Sequence, residues 1–207
     1  MKKSVFTLVF CIALATSVMA QAQYKPFQFG FRVAPSVNWA EADGTGLSNG
    51  NAKLSFSWGF LANYYFVENY GLSTGFNWMR FNNSYDAPDF KHKIKVECFE
   101  IPILLKMRTD QFAAKWRLYG EIGYGMGIMF NNKDKNDPDT FKDPYDYRSI
   151  RHSMIISIGV EFKVLKSSVL TAGIVYDNNF SRLSENKNDY NHKLSLDCVS
   201  LQFGFLF

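Results

Sequence analysis

Between Phe27 and Phe207, eight stretches place large apolar residues at every second position, with polar or small residues in the places between. A period of two belongs to β-strands with one apolar and one polar face. The first stretch sets Phe27, Phe29, Phe31, Val33 and Val37 against Gln28, Gly30, Arg32, Ala34, Ser36 and Asn38. The second sets Leu54, Phe56, Trp58, Phe60, Ala62 and Tyr64 against Lys53, Ser55, Ser57, Gly59 and Asn63, with Leu61 as its apolar intruder. In the third, Leu72, Thr74, Phe76 and Trp78 oppose Gly71, Ser73, Gly75 and Asn77; in the fourth, Phe99, Ile101, Ile103 and Leu105 oppose Cys98, Glu100, Pro102 and Lys106. Pro102 lacks a ladder donor, so a bulge or a local break in pairing is expected there. The fifth alternates Leu118, Ile122, Tyr124, Met126 and Ile128 with Arg117, Tyr119, Glu121, Gly123, Gly125 and Gly127. The sixth alternates Met154, Ile156, Ile158, Val160 and Phe162 with Ser153, Ser157, Gly159 and Glu161. Leu170, Ala172, Ile174 and Tyr176 face away from Thr171, Gly173 and Asp177 in the seventh, as do Val199, Leu201, Phe203, Phe205 and Phe207 from Ser200, Gln202 and Gly204 in the eighth.

The connections differ in length. Residues 39–52, 82–92, 131–147 and 181–193 are long and polar, whereas 66–70, 108–115 and 165–168 are shorter. Transmembrane barrels show this asymmetry, with long external loops and short periplasmic turns. The pattern therefore predicts an all-β fold, an eight-stranded antiparallel up-and-down transmembrane β-barrel, with both mature termini in the periplasm. A soluble barrel of the lipocalin kind competes with it, because the same alternation could place the apolar face inside. The glycines argue for the membrane. Ten of the fourteen fall on polar faces, where a solvated surface has no need of them but a narrow lumen holding long polar side chains does. Trp39, Trp58, Trp78 and Trp116 stand near the expected strand ends, as interfacial aromatic girdles require.

Ahead of the strands, Lys2 and Lys3 precede an apolar run from Val5 to Ala15 and small residues at Ala20 and Ala22, the layout of a cleaved secretory signal. The expected division is residues 1–22 as signal peptide and 23–207 as one barrel domain. The apolar run is short for a spanning helix, and bulky Phe10 before Cys11 argues against lipidation. Removing Lys2 and Lys3 from the 23 basic residues leaves 21 against 19 acidic ones, a charge near +2 that is too weak to argue for nucleic acid. Cys98 and Cys198 remain; an oxidising compartment could join them, but their strands are expected on opposite walls.

Charged residues on the inner faces are the candidate chemistry. Arg32, Glu100, Arg117, Glu121 and Glu161, with Lys53 and Lys106, should pair with one another in a low-dielectric lumen, as a structural polar network rather than a catalytic site. A narrow ion pathway and an internal ligand site are the alternatives. Eight strands leave an interior just wide enough for side chains to fill. His92, His152 and His192 fall at or near the external rim with no ligand spacing, so neither a metal nor a cofactor is expected. A rim enzyme would need a serine beside a histidine. Ser153 follows His152 but belongs to the opposite strand face. The run Gly123-Tyr124-Gly125-Met126-Gly127 has no helix after it and so lacks the context of a phosphate loop. The loop Asn131–Tyr147 lacks the glycine of a calcium loop.

At Phe99-Glu100-Ile101-Pro102-Ile103-Leu104-Leu105-Lys106 and at the terminal Phe203-Gly204-Phe205-Leu206-Phe207, the chain resembles the PorT-like outer-membrane β-barrel family of Bacteroidota. The resemblance covers essentially the whole mature chain and implies an eight-stranded barrel in the outer membrane. It also implies that Phe207 resembles the signal read by the barrel-assembly machinery. The founding member is associated with protein secretion and gliding, while most members have no assigned function. The expected partners are outer-membrane lipids, the assembly machinery and an unknown envelope or secretion partner. The expected role is non-enzymatic display of external loops for binding, adhesion or envelope organisation. A lipid- or polymer-modifying enzyme with its site at the external rim, or a narrow channel, is the alternative.

Overall fold

The structure is a computed structural model that describes residues 26–43, 52–86, 91–113, 115–134, 146–147, 150–165, 168–181, 184–185 and 193–207. The expected signal peptide and His192 lie outside these residues. Eight long strands form the wall: β1 (Phe27–Asp43), β2 (Lys53–Val67), β3 (Tyr70–Asp86), β4 (Lys91–Arg108), β5 (Trp116–Asp134), β7 (Ile150–Lys163), β8 (Val169–Asn179) and β10 (Lys193–Leu206). The short β6 (Asp146–Tyr147) and β9 (Ser184–Glu185) pair with each other between the third and fourth long connections. Each long strand is antiparallel to its neighbours, and the order β1-β10-β8-β7-β5-β4-β3-β2 closes on itself. The backbone of Phe207 exchanges hydrogen bonds with Phe29 at the closing seam.

The alternation sets which way each face points. Phe27, Phe29, Phe31, Ile101, Ile103, Ile156, Ile158, Leu201 and Phe203 are exposed on the outer wall, while Arg32, Ser57, Asn63, Ser73, Asn77, Glu100, Ser157 and Gln202 are buried inside. A soluble barrel would invert this, so the lipocalin alternative fails on facing alone. Leu61 is inward as its phase dictates, and it makes a small apolar cluster with Val169 and Leu206.

The stagger of the barrel follows from its register. Starting at Arg32, the paired positions run Gly59, Asn77, Glu100 and Gly127 in one direction, and Gly204, Thr171, Glu161 and Arg117 in the other. The two paths meet on β5 ten residues apart, 127 − 117 = 10, so the shear exceeds the strand number of eight. A larger shear means a larger tilt. Rows of paired residues therefore climb the wall, and inward groups far apart in sequence come to one height.

Both mid-strand prolines cost pairing on one side. Opposite Pro102, the β3–β4 ladder lapses between Thr74↔Ile103 and Asn77↔Glu100 without changing register, whereas Pro102↔Gly125 stays paired on the β5 side. The local break is present and the bulge is not. Gly75 stands across from the break with φ 151°, and Thr74 donates its hydroxyl to the Pro102 carbonyl at 2.8 Å. Pro35 interrupts the β1–β10 ladder in the same way, between Val33↔Phe203 and Ser36↔Ser200. Bulges occur instead between Tyr65 and Val67 on β2 and between Lys95 and Glu97 on β4.

The strands run further than the sequence suggests. β3 and β4 have 17 and 18 residues, well beyond the roughly 9–11 that a tilted strand needs to cross a bilayer. Most of the expected 82–92 loop is paired strand, from Asn82↔Lys95 to Asp86↔Lys91. The excess lies at the long-loop end. Trp58 and Trp78 consequently sit within their strands as a paired couple with ring centroids 6.4 Å apart, not at strand ends, and Arg80 meets Glu97 at 2.7 Å just above them. At the other end Trp116 packs on Phe162 with centroids 4.7 Å apart. Outward aromatic residues thus bracket an apolar band at both heights, as the lipid-facing wall of a transmembrane barrel does.

Candidate functional site: the charged interior

Tilt and alternation together gather charge into two inner layers. Toward the short-turn end, β4 contributes Lys106 and Arg108, β5 contributes Glu121 and β7 contributes Glu161. Lys106 Nζ bridges the two carboxylates, at 2.9 Å from Glu161 and 3.3 Å from Glu121. Arg108 lies 3.8 Å from the second oxygen of Glu161, donates from Nε to the Glu68 carbonyl at 2.8 Å and covers the Tyr65 ring at 3.8 Å. Ser157 donates to Glu121 at 2.9 Å, and Lys106 also stands 4.4 Å from the centre of the Tyr119 ring. Each buried charge therefore has an opposite partner and a polar or aromatic neighbour, which is what makes its burial tolerable.

Toward the long-loop end, Arg151 of β7 is fully buried between two carboxylates. It donates to Glu100 at 2.5 Å through one terminal nitrogen and to Asp177 at 2.8 Å through the other. Glu100 is also the acceptor for Ser153 at 3.3 Å and Asn77 at 3.4 Å. Phe81 lies 5.5 Å from the guanidinium. Between the layers, Arg32 donates to Gln202 at 2.8 Å. Among the described residues, the buried cations Arg32, Lys106, Arg108 and Arg151 face the inward carboxylates Glu100, Glu121, Glu161 and Asp177, while a fifth buried carboxylate, Asp197, accepts from Asn178 and the Asn179 amide.

Glycine makes the space. At Gly125, Gly127, Gly173 and Gly204 an added Cβ would first strike a side chain of the lumen, respectively Ser153, Cys98, Tyr119 and Thr171, at 2.5–2.6 Å. At Gly30, Gly59, Gly75 and Gly123 it would strike a neighbouring strand's carbonyl oxygen at 1.9–2.2 Å. So the inward glycines serve both the long side chains and the close approach of strongly coiled strands.

Of the residues singled out from sequence, Glu121 and Glu161 meet in the short-turn layer, Glu100 belongs to the long-loop layer, and Arg32 stands between them. Arg117 stands opposite Glu161 at the lower edge of the short-turn layer. As the second residue of β5 it lies at the short-turn rim, where it pairs with the exposed Glu68 at 3.3 Å. Lys53 is half-buried at the top of β2. Sequence reasoning missed Arg151 and Arg108 and left Asp177 out of the charged set. The signal was available, since Arg151 is in phase with Ser153 and Arg108 with Lys106. Cys98 and Cys198 are buried free thiols on strands four places apart around the ring of eight.

Outside the barrel, His152 faces away from Ser153, which is fully buried in the lumen. His152 Nδ1 is hydrogen-bonded to the Tyr124 hydroxyl, and its ring stacks between Tyr124 and Phe180, with centroids at 5.8 and 6.5 Å. Ser181 accepts from the His152 backbone amide at 3.0 Å. Among the described residues no cluster of three or more His, Cys, Asp or Glu side chains could hold a metal ion.

The family model described as outer membrane protein beta-barrel domain matches residues 19–185. No curated protein sequence matches the chain significantly. Among solved structures, the outer membrane protein OprG from Pseudomonas aeruginosa superposes with a TM-score of 0.62 at 12% identity, covering 89% of this chain and 97% of OprG. Neisserial surface protein A superposes with a TM-score of 0.53 at 13% identity, covering 88% of this chain and 96% of that one. At such identities the likeness is one of fold.

Proposed function

The chain belongs to the outer membrane protein beta-barrel domain family, and from that membership we propose that it is a closed, non-enzymatic barrel displaying its long loops as an external binding surface. In this reading both termini lie in the periplasm, and the loops engage an envelope, adhesion or secretion partner. The Phe99–Lys106 strand supports a PorT-like kinship within the family and a Bacteroidota source. Phe207, locked to Phe29 at the seam, suits a terminal signal read by the assembly machinery.

The observation that carries the reading is the contrast between a lumen tied shut by ion pairs and strands that continue above the apolar band. A permeation pathway must part Lys106 from Glu161 and Arg151 from Glu100, both nearly solvent-free pairs whose breakage is costly. A rim hydrolase must join a serine, a histidine and an acid. The ring partner of His152 is instead Tyr124, and Ser153 points into the lumen.

The test is photo-crosslinking in intact cells from probes placed in residues 44–51, 135–145 and 186–192, beside a barrel in which those segments are replaced by short linkers. Loop display requires discrete adducts that vanish from the linker barrel while it still folds. Steady conductance in planar bilayers would favour the channel instead, and lipid breakdown lost in His152→Gln would favour the enzyme.

A further inference from the structure

The upper part of the lipid-facing wall is not uniform. On β1 to β4 it carries Val37, Leu54, Phe56, Trp78 and Phe99. On β5, on β7 and just past the end of β8 it carries three rings in mutual contact, Tyr124, His152 and Phe180, with centroid separations of 5.8, 6.2 and 6.5 Å. Beside them lies a run of polar groups. Asn178 donates to the Tyr176 hydroxyl at 3.2 Å and to Asp197 at 3.3 Å, and Asp197 also accepts the Asn179 amide at 2.9 Å. Ser181 donates to the Asn179 side chain at 2.7 Å.

A lone tyrosine or tryptophan at this height would be an ordinary interfacial anchor. Here an imidazole stands at the lipid-facing wall with one nitrogen fixed by Tyr124, flanked by partly exposed Tyr124, Tyr176 and Phe180. Asp197 and Asn179 are buried behind this surface, but His152, Tyr176 and Asn178 are open to it, and bare hydrocarbon is a poor match for their polar atoms. A ligand with both an apolar face and a rim of hydroxyls satisfies them, because its C–H face packs on the rings and its oxygens reach His152, Tyr176 and Asn178. A pyranose has that shape and chemistry. Its height on the wall, at the long-loop margin of the apolar band, is where a lipid's head rather than its tail lies.

We propose that Tyr124, His152, Phe180 and the adjoining Asn178 form a binding site for the sugar head of an outer-leaflet glycolipid. The proposal rests on the reading that the long-loop end faces outward. It assigns the long-loop half of β5, β7 and β8 a lipid ligand in addition to whatever the loops engage.

The full mature barrel is placed in nanodiscs of phosphatidylethanolamine and phosphatidylglycerol with or without lipid A, and retained lipid is counted by native mass spectrometry after detergent extraction. Histidine-labelled protein, with the His152 signal assigned by His152→Gln, is followed by NMR in the same discs. The expected result is retained lipid A with a shifted His152 signal, and about a tenfold loss of retention in His152→Gln and in Phe180→Ala, both folded by gel mobility. Equal retention by the variants overturns the site, as does an unmoved His152 signal in the presence of lipid A. A His152 shift equally produced by a free glucosamine disaccharide, or by phosphatidylglycerol alone, overturns the glycolipid as its ligand. Surface labelling of cysteines introduced in the long loops reads the orientation separately, so an inverted barrel that still retains lipid A sinks the orientation and not the ring site.

Discussion

Arg151 reaches Glu100 across Gly127: the three residues occupy one row of paired positions on β7, β5 and β4, and the guanidinium passes over the strand that bears no side chain. The same row continues through Asn77 and Gly59 to Arg32. Alternation places these groups inside, register places them in line, and glycine allows the two charges to touch.

Removing Arg151 should therefore damage the barrel more than neutralising the whole group. Arg151→Met leaves Glu100 and Asp177 as facing carboxylates without their cation, and it should cost about 3–5 kcal/mol. Adding Glu100→Gln and Asp177→Asn should restore most of that loss. Urea unfolding of detergent-folded protein, read by gel mobility, gives both values. A single Arg151→Met as stable as the parent would show that the pair contributes little.

The space at Gly127 gives a second, directional expectation. A Cβ there would come within 2.6 Å of the Cys98 sulfur and 3.4 Å of the Arg151 Cβ. Gly127→Ala should destabilise by about 1–3 kcal/mol through overpacking. Cys98→Ala removes the nearest atom and should relieve much of the loss in the double variant, a coupling a denaturation cycle can measure. Purely additive effects would mean that the strand, and not the thiol, resists the methyl group.

How much of this was legible in the sequence depends on what surrounds each residue. Inside the lipid band every outward residue must be apolar, so the period of two stands out and eight strands can be read directly. Above the band that demand ends. Residues 82–86 and 91–92 pair as strand but read as loop, because their sequence lacks the apolar alternation that marks a strand inside the band. Arg151 was lost for the same reason, since its outward neighbours Ile150 and His152 do not make a clear apolar series. Arg117 was in phase for the lumen, yet phase gives the side of a strand and not the height. Only the register shows that it stands ten residues below Gly127, at the rim beside Glu68.

Adjacent residues on β7 test the facing of the wall. Ile156 is exposed on the outer surface, and Ser157 is buried with its hydroxyl on Glu121. Ile156→Arg should cost about 2–4 kcal/mol if the position lies near the bilayer midplane. Ser157→Leu should also destabilise, because it overfills the lumen and takes a donor from Glu121. Refolding yields into lipid vesicles and urea midpoints measure both. A tolerated Ser157→Leu beside a damaging Ile156→Arg is the pattern of an inverted, water-facing barrel and would sink the membrane facing.

The two cysteines provide the last and most global check, because they report which strands face each other across the lumen. Cys98 lies on β4 and Cys198 on β10, four places apart in a closed ring of eight strands, which puts them on opposite walls. Cys98 sits against Gly127, and Cys198 is 3.9 Å from the Ser200 hydroxyl. A disulfide needs α-carbons within about 7 Å, closer than opposite walls can come while Arg151, Glu100 and Asp177 occupy the space between. Both thiols should therefore resist alkylation in the folded barrel and react fully after denaturation without reductant, as mass spectrometry would show. Recovering a Cys98–Cys198 peptide from freshly purified membranes would mean that β4 and β10 come together, and the strand order itself would have to be redrawn.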